Sequence, residues 1–171
     1  MQTFTGRRFY PLDPRPDEID PADIAHALSL LCRYGGHVDR FYSVAEHCVL
    51  MSKWIRPELA LAALLHDATE AYVVDVPRPL KRSLSGYREI EANVWDAILE
   101  RFPMGLTRDG IHEVNEADNR IILTERNALM SRSERPWPGV EHFVPLPVPV
   151  TGWLPGVAET RYLARLAELT R

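Results

Sequence analysis

Cysteine is scarce in this chain: Cys32 and Cys48 are the only two in 171 residues, and neither belongs to a C-x-x-C pair. That speaks against a disulfide-framed secreted domain and for a reducing cytoplasm. Both fall in stretches that read as helix, where each is most simply a small core residue. Long apolar runs are also missing, the longest being Leu59 to Leu65, far too short to cross a bilayer. Met1 to Asp13 carries Arg7 and Arg8 without an apolar run behind them, so no signal peptide is expected. There is no basic tract either, and the net charge is −4. A nucleic-acid polymer or a membrane is therefore not the expected partner. A polyanionic substrate must be met by a few placed cations or a metal, not by a bulk positive field. Period-2 alternation, internal repeats and low-complexity runs are absent too.

What remains is an ordinary globular composition, 46% apolar, in a length that suits one domain with a sizeable core. Ten of the fourteen prolines lie in two stretches, Pro11–Pro21 and Pro136–Pro155. These predict an extended N-terminal segment over 1–20 and a proline-rich loop over 136–155. Between and beyond them the pattern is helical. Pro21 opens a helix that stops near Gly35-Gly36, and Ser43 with Glu46 is a capping-box signature for a second. The second helix directs Val44, Met51, Trp54 and Ile55 inward. Pro57 starts a third helix running to about Tyr72, apolar on every side in its first turns and so expected to be the spine. A fourth runs from about Gly86 to Phe102 and a fifth from about Gly110 to Met130, the latter with Ile111, Val114, Ile121 and Ile122 inward. A last helix spans about 156–170, with Val157, Leu163 and Leu166 on its stripe. The expected fold is an all-α, compact, single-domain helical bundle over 1–171.

The chemistry concentrates where the third helix leaves its apolar turns, at Leu65-His66-Asp67-Ala68-Thr69-Glu70. A carboxylate at the end of a buried helix needs a partner or a cation. His66 and Asp67 diverge by about 100° yet both reach an ion at the helix surface, and Glu70 shares the face of His66. His-Asp pairs commonly make only a local hydrogen bond. However, His47 falls on the inward face of the second helix, and Asp118 sits on the apolar stripe of the fifth, where its partner is a metal or an arginine such as Arg120 or Arg126. Three helices thus offer two imidazoles and two carboxylates, a set suited to a divalent transition metal.

The order His47, then His66-Asp67, then Asp118 on a helical scaffold resembles the HD superfamily of metal-dependent phosphohydrolases. Ser43-Val44-Ala45-Glu46-His47 looks like the first-histidine segment of its compact nucleotidase branch. His66-Asp67-Ala68-Thr69-Glu70 with Asp75-Val76-Pro77-Arg78-Pro79-Leu80-Lys81 looks like the central motif, and Glu116-Ala117-Asp118 like the closing ligand. Asp23-Ile24-Ala25-His26-Ala27-Leu28, Cys32-Arg33 and Phe41-Tyr42-Ser43-Val44-Ala45 are similar to runs in the small phage dATP triphosphohydrolases.

The resemblance implies one divalent metal (Zn, Co or Mn) on His47, His66, Asp67 and Asp118, with Mg accompanying the substrate phosphates. It implies Glu70 and Asp75 as proton-handling residues, and Arg33, Lys81, Pro79 and Ile24 as substrate contacts. Arg33 and Lys81 would touch phosphate, Pro79 would press on the sugar, and Ile24 would meet the base. The expected reaction is hydrolysis of a deoxynucleotide at the α-phosphorus, dATP to deoxyadenosine and triphosphate. The alternatives are a 5′-nucleotidase acting on deoxynucleoside monophosphates and a non-catalytic nucleotide-binding or signalling module. An alarmone hydrolase ranks low, because no adjacent Glu-Asp pair follows His66-Asp67. The resemblance also suggests a homo-oligomer, a hexamer among the options. The apolar stretch Trp137, Phe143, Val144, Leu146, Val148, Val150 and Trp153 needs cover from the chain itself or from another subunit. Of the remaining histidines, His112 and His142 read as exposed, and His26 and His37 as packing or hydrogen-bonding residues.

Overall fold

The computed structural model describes all of residues 1–171 and is all-α, its only β-type pairings being isolated bridges at Gln2–Arg8 and Cys32–Ser43. Cys32 is therefore extended backbone, not helix. The first helix, α1 (Pro21–Leu30), begins where the Asp20 side chain accepts from Ala22 N at 2.9 Å and Pro21 supplies a preset φ. In α2 (Val44–Trp54), Ser43 Oγ accepts from Glu46 N at 3.1 Å. Only half of the expected capping box forms. The Glu46 carboxylate turns instead to the loop before the last helix, accepting from Thr151 N, Thr151 Oγ1, Gly152 N and Trp153 N.

The predicted third helix is interrupted. It comprises α3 (Ala60–Leu65), a turn over 66–69, and the short α4 (Glu70–Val73). Two side chains explain the break. His66 Nδ1 bonds to Ala63 O at 2.8 Å and Tyr162 OH to Leu64 O at 3.0 Å, which occupies carbonyls that the next turn would have used. The ladder tightens accordingly, Ala68 N donating to Leu65 O and Glu70 N to Asp67 O. After the short α5 (Arg78–Lys81) come α6 (Tyr87–Arg101), α7 (Arg108–Leu129, capped by Thr107 Oγ1) and α8 (Pro155–Leu169).

Two apolar cores flank the α2–α3 pair. One joins α1, α2, α6 and α8, with Phe9 stacked on Tyr72 at 3.9 Å. The other joins α2, α3 and α7, with Tyr42 and Leu146. Because α2 buries every residue from Val44 to Ser52, it shares with α3 the spine role expected of the third helix alone. At about 1.5–3 kcal/mol per large apolar side chain removed from water, these cores dominate stability. Ile111, Val157 and Trp54 lie at the surface instead of inside, and Trp54 is covered by the Arg120 guanidinium, 4.7 Å away.

The N-terminal segment, expected to be extended, instead folds into turns and a 3-10 helix at Pro16–Glu18, and it is pinned by Asp23, which accepts from Thr5 N and Thr5 Oγ1. The chain itself covers much of the proline-rich stretch: Leu146 is buried, and Val148, Val150 and Trp153 pack on the second core. Val144 stays exposed. No helix is long and apolar enough to cross a membrane.

The loop that Glu46 holds allows little variation at Gly152. Its φ is +79°, and an added Cβ would lie 2.7 Å from Phe41 O. Replacing Glu46 by Ala orphans three backbone N–H groups in this half-buried turn. We expect a loss of about 3 kcal/mol in urea unfolding; an unchanged midpoint would show that the loop is not held by this carboxylate.

Candidate metal centre

Each site residue is delivered by a different constraint. His47 is fully buried on α2, His66 and Asp67 sit on the turn that ends α3, and Asp118 stands on the inward face of α7. His47 Nε2 lies 3.2 Å from His66 Nε2, 3.6 Å from Asp67 Oδ2 and 3.4 Å from Asp118 Oδ1. His66 Nε2 lies 3.2 Å from Asp67 Oδ2 and 3.9 Å from Asp118 Oδ1. His47, His66 and Asp67 form a group whose ligand atoms all lie within 4.8 Å of one another and that could hold a metal ion.

The donor set fits a cation. Ala63 O can only accept, so the proton of neutral His66 is on Nδ1 and its Nε2 presents a lone pair. The carboxylate of Glu125 receives His47 Nδ1 at 2.6 Å, which fixes the second imidazole the same way. Two lone pairs thus face a carboxylate oxygen of Asp67 and one of Asp118, with Asp118 standing outside the mutually close group of three. Ligands held about 2.1 Å from one ion lie roughly 3.0–3.4 Å from each other, and the spacings above fall in or just beyond that range.

The same crowding draws protons to the two imidazoles. Burial pulls the His66 pKa down, yet the Asp67 carboxylate overrides it and leaves the imidazole well above its ordinary value. For His47, burial and Arg33 lower the pKa, and Glu125 and Asp118 carry it above the ordinary value. Burial works against ionised Asp67 and Asp118, but the two imidazoles hold both below the usual carboxylate range.

A cavity of about 940 Å³ opens on this cluster, and His66, Asp67, Asp118, Glu70, Asp75 and Arg33 line it. Glu70 Oε2 is buried without a partner. Burial, then Asp67 and Asp75, raise the Glu70 pKa well above the ordinary value, so this carboxyl holds a proton more tightly than a solvated one. Asp75 is raised too, chiefly by burial.

The expected substrate contacts fare differently. Pro79 and Lys81 line the cavity, but Lys81 Nζ is already held by Glu91 Oε1 at 2.6 Å. Arg33 is buried, with Nη1 on Asp67 Oδ2 and Nε on Glu125 Oε2, both at 3.2 Å. Ile24 is fully buried in the first core and is not part of the cavity wall. The arginine on Asp118 is neither Arg120 nor Arg126 but Arg78, whose Nη1 also donates to Asn119 Oδ1 at 2.8 Å. His37 reaches the cavity wall, whereas His26 pairs with Glu159 between α1 and α8.

No model of a known protein family matches the chain. Uncharacterized protein YfdR of Escherichia coli is 42% identical over 141 residues, 82% of this chain and 78% of that protein. The chain belongs to the YfdR family. An uncharacterized protein of Rhodobacter capsulatus is 39% identical over 112 residues, 60% of this chain and 57% of that protein.

In this YfdR-family chain the residue that sequence reasoning missed is Glu125. It is fully buried and accepts from His47 Nδ1, Arg33 Nε, Tyr42 OH and Tyr34 OH. Burial raises its pKa, but Arg33 and His47 overcome this and bring it down to about 2. A signal existed: Glu125 follows Asp118 by two turns on the apolar stripe of α7, a second inward acid without an i,i+4 cation.

Two outcomes follow for the YfdR-family centre. Glu125→Gln removes the charge that orients His47, so metal affinity, read by chelator competition, should fall roughly 10- to 100-fold; an unchanged affinity would leave Glu125 a purely structural residue. The second concerns pH. A raised histidine pKa stabilises the metal-free fold below about 6.5, and that stability is lost as pH rises through the folded-state values. Asp67 and Asp118 contribute in the other direction, losing their stabilisation as pH falls toward their depressed pKa values. The Tm gain on adding Mn²⁺ or Zn²⁺ should therefore grow from pH 6 to pH 8, and a gain that shrinks over that window would contradict proton–metal exchange.

Proposed function

We propose that this chain is a metal-dependent phosphohydrolase of the HD type that cleaves a deoxynucleotide at the α-phosphorus, with dATP to deoxyadenosine and triphosphate as the favoured reaction. The observation that carries the reading is the His47 and His66 nitrogens, each within 3.9 Å of carboxylate oxygens of Asp67 and Asp118, behind the wall of a cavity of about 940 Å³, ample for a nucleotide. One divalent ion, Zn²⁺, Co²⁺ or Mn²⁺, would supply Lewis-acid charge at the reacting phosphorus and make water more acidic, with Mg²⁺ accompanying the outer phosphates.

The chain's own groups complete the chemistry. Glu70 Oε2, buried and unpartnered beside Asp67, in its ionised form takes the proton of the attacking water as the water oxygen bonds to phosphorus. The bond from phosphorus to the 5′-oxygen breaks, and Asp75 delivers a proton to that oxygen. Arg33 supplies positive charge from beneath, anchored through Glu125. Pro79 is the wall residue proposed to face the sugar.

A second reading, a 5′-nucleotidase for deoxynucleoside monophosphates, has an observation in its favour. Of the cavity's cations, Arg33, Arg78 and Lys81 each have a carboxylate partner, which leaves Arg88 for further phosphates. A non-catalytic nucleotide-binding module is disfavoured by the unpartnered Glu70 beside a complete ligand set. Assembly as a homo-oligomer rests on the resemblance to the HD phosphohydrolases alone, since the chain covers most of its own proline-rich stretch.

Products from dATP, dAMP and ATP should be separated by chromatography with Co²⁺, Mn²⁺ or Zn²⁺ present. Triphosphate from dATP is the expected result, and activity confined to monophosphates would favour the second reading. Asp67→Ala should abolish turnover with helical circular dichroism retained, whereas unchanged turnover would defeat the mechanism.

A further inference from the structure

Two aromatic side chains of the cavity wall, Tyr34 and Trp137, have ring centres 5.9 Å apart with planes tilted by 54°. Trp137 belongs to neither apolar core, in contrast to Trp95, which also lines the cavity but packs against the first. A large apolar ring outside the core contributes little to folding and is placed for contact. Pro136 and Pro138 restrict the backbone on both sides of it. Its other neighbour is Arg126, whose guanidinium carbon lies 5.4 Å from the ring centre.

Tyr34 is placed just as deliberately. Its φ is +58°, a left-handed conformation that a bulky side chain rarely adopts. The strain is held because adjacent Arg33 and Tyr34 both bond to Glu125, one through Nε and the other through its hydroxyl. The Arg33 guanidinium carbon stands 5.3 Å from the Tyr34 ring centre. The ring is therefore fixed two hydrogen-bond links from the metal centre, through Glu125 to His47.

We propose that Tyr34 and Trp137 form the surface on which the base of a nucleotide stacks, so that the flat face of the base is read. This rests on the nucleotide reading above and adds which residues meet the base. Stacking tolerates every base and grows with ring area, so purine nucleotides are favoured over pyrimidine ones.

The test is calorimetric titration of the full chain, with chelator present so that nothing turns over, using dAMP and 2-deoxyribose 5-phosphate. Trp137→Leu should weaken dAMP binding on the order of tenfold, Trp137→Phe should recover most of it, and binding of the base-less phosphate should not change. Equal dAMP affinity in wild type and Trp137→Leu, equal losses for both ligands, or no binding of dAMP to the wild type would each overturn the stacking surface. The turnover assay separates the two ideas. Hydrolysis that persists without Trp137-dependent binding sinks only the stacking surface. Trp137-dependent binding of dAMP by a protein that hydrolyses no nucleotide sinks only the phosphohydrolase.

Discussion

Two imidazole nitrogens 3.2 Å apart, each within 3.2 to 3.9 Å of a carboxylate oxygen of Asp67 and of one of Asp118, crowd their electron pairs together, and this crowding is what the rest of the centre is organised around. Two imidazoles are locked with their lone pairs inward, one by a backbone carbonyl and the other by a buried carboxylate. A solvated surface would let these groups turn away. The cores on either side of α2 and α3 leave them no such freedom, so apolar packing maintains an electrostatic demand that only positive charge satisfies.

Positive charge around the centre is used sparingly. Arg33 lies under the cluster and divides its guanidinium between Asp67 and Glu125, while Arg78 and Lys81 each hold a carboxylate at the cavity wall. With a net charge of −4 overall, the chain does not draw anions to itself by its general field. Any phosphate entering the cavity would have to compete with Asp118 for Arg78 and with Glu91 for Lys81. Such competition favours a ligand that presents several oxygens at once over a single charge.

Much of this was legible in the residues. Helical periodicity and the placement of proline and glycine gave the all-α architecture, and inward-facing His47 and Asp118 could be read from their neighbours on the same helical stripe. What periodicity could not show were contacts made by distant parts of the chain. The break after Leu65 depends on Tyr162, nearly a hundred positions away. Glu46 looked like half of a local cap and serves a loop near Thr151. Ile24 was expected at the base only through the likeness to the phage enzymes, and its place on the apolar stripe of α1 took it to the core instead. Glu125 was hidden for the opposite reason: an acid on a long helix is ordinarily solvated, and only the convergence of Arg33, Tyr34, Tyr42 and His47 makes it a hub.

The hydroxyl of Tyr162 has a consequence that reaches past its own helix. By occupying the Leu64 carbonyl it ends α3 just before His66 and Asp67, the pair that turns toward His47. An uninterrupted ladder would carry the following residues onward at about 100° per step and swing the turn that bears Asp67 out of alignment with His47. The C-terminal helix therefore sets the rotational phase of the turn that carries His66 and Asp67, although it contributes no atom to the cavity.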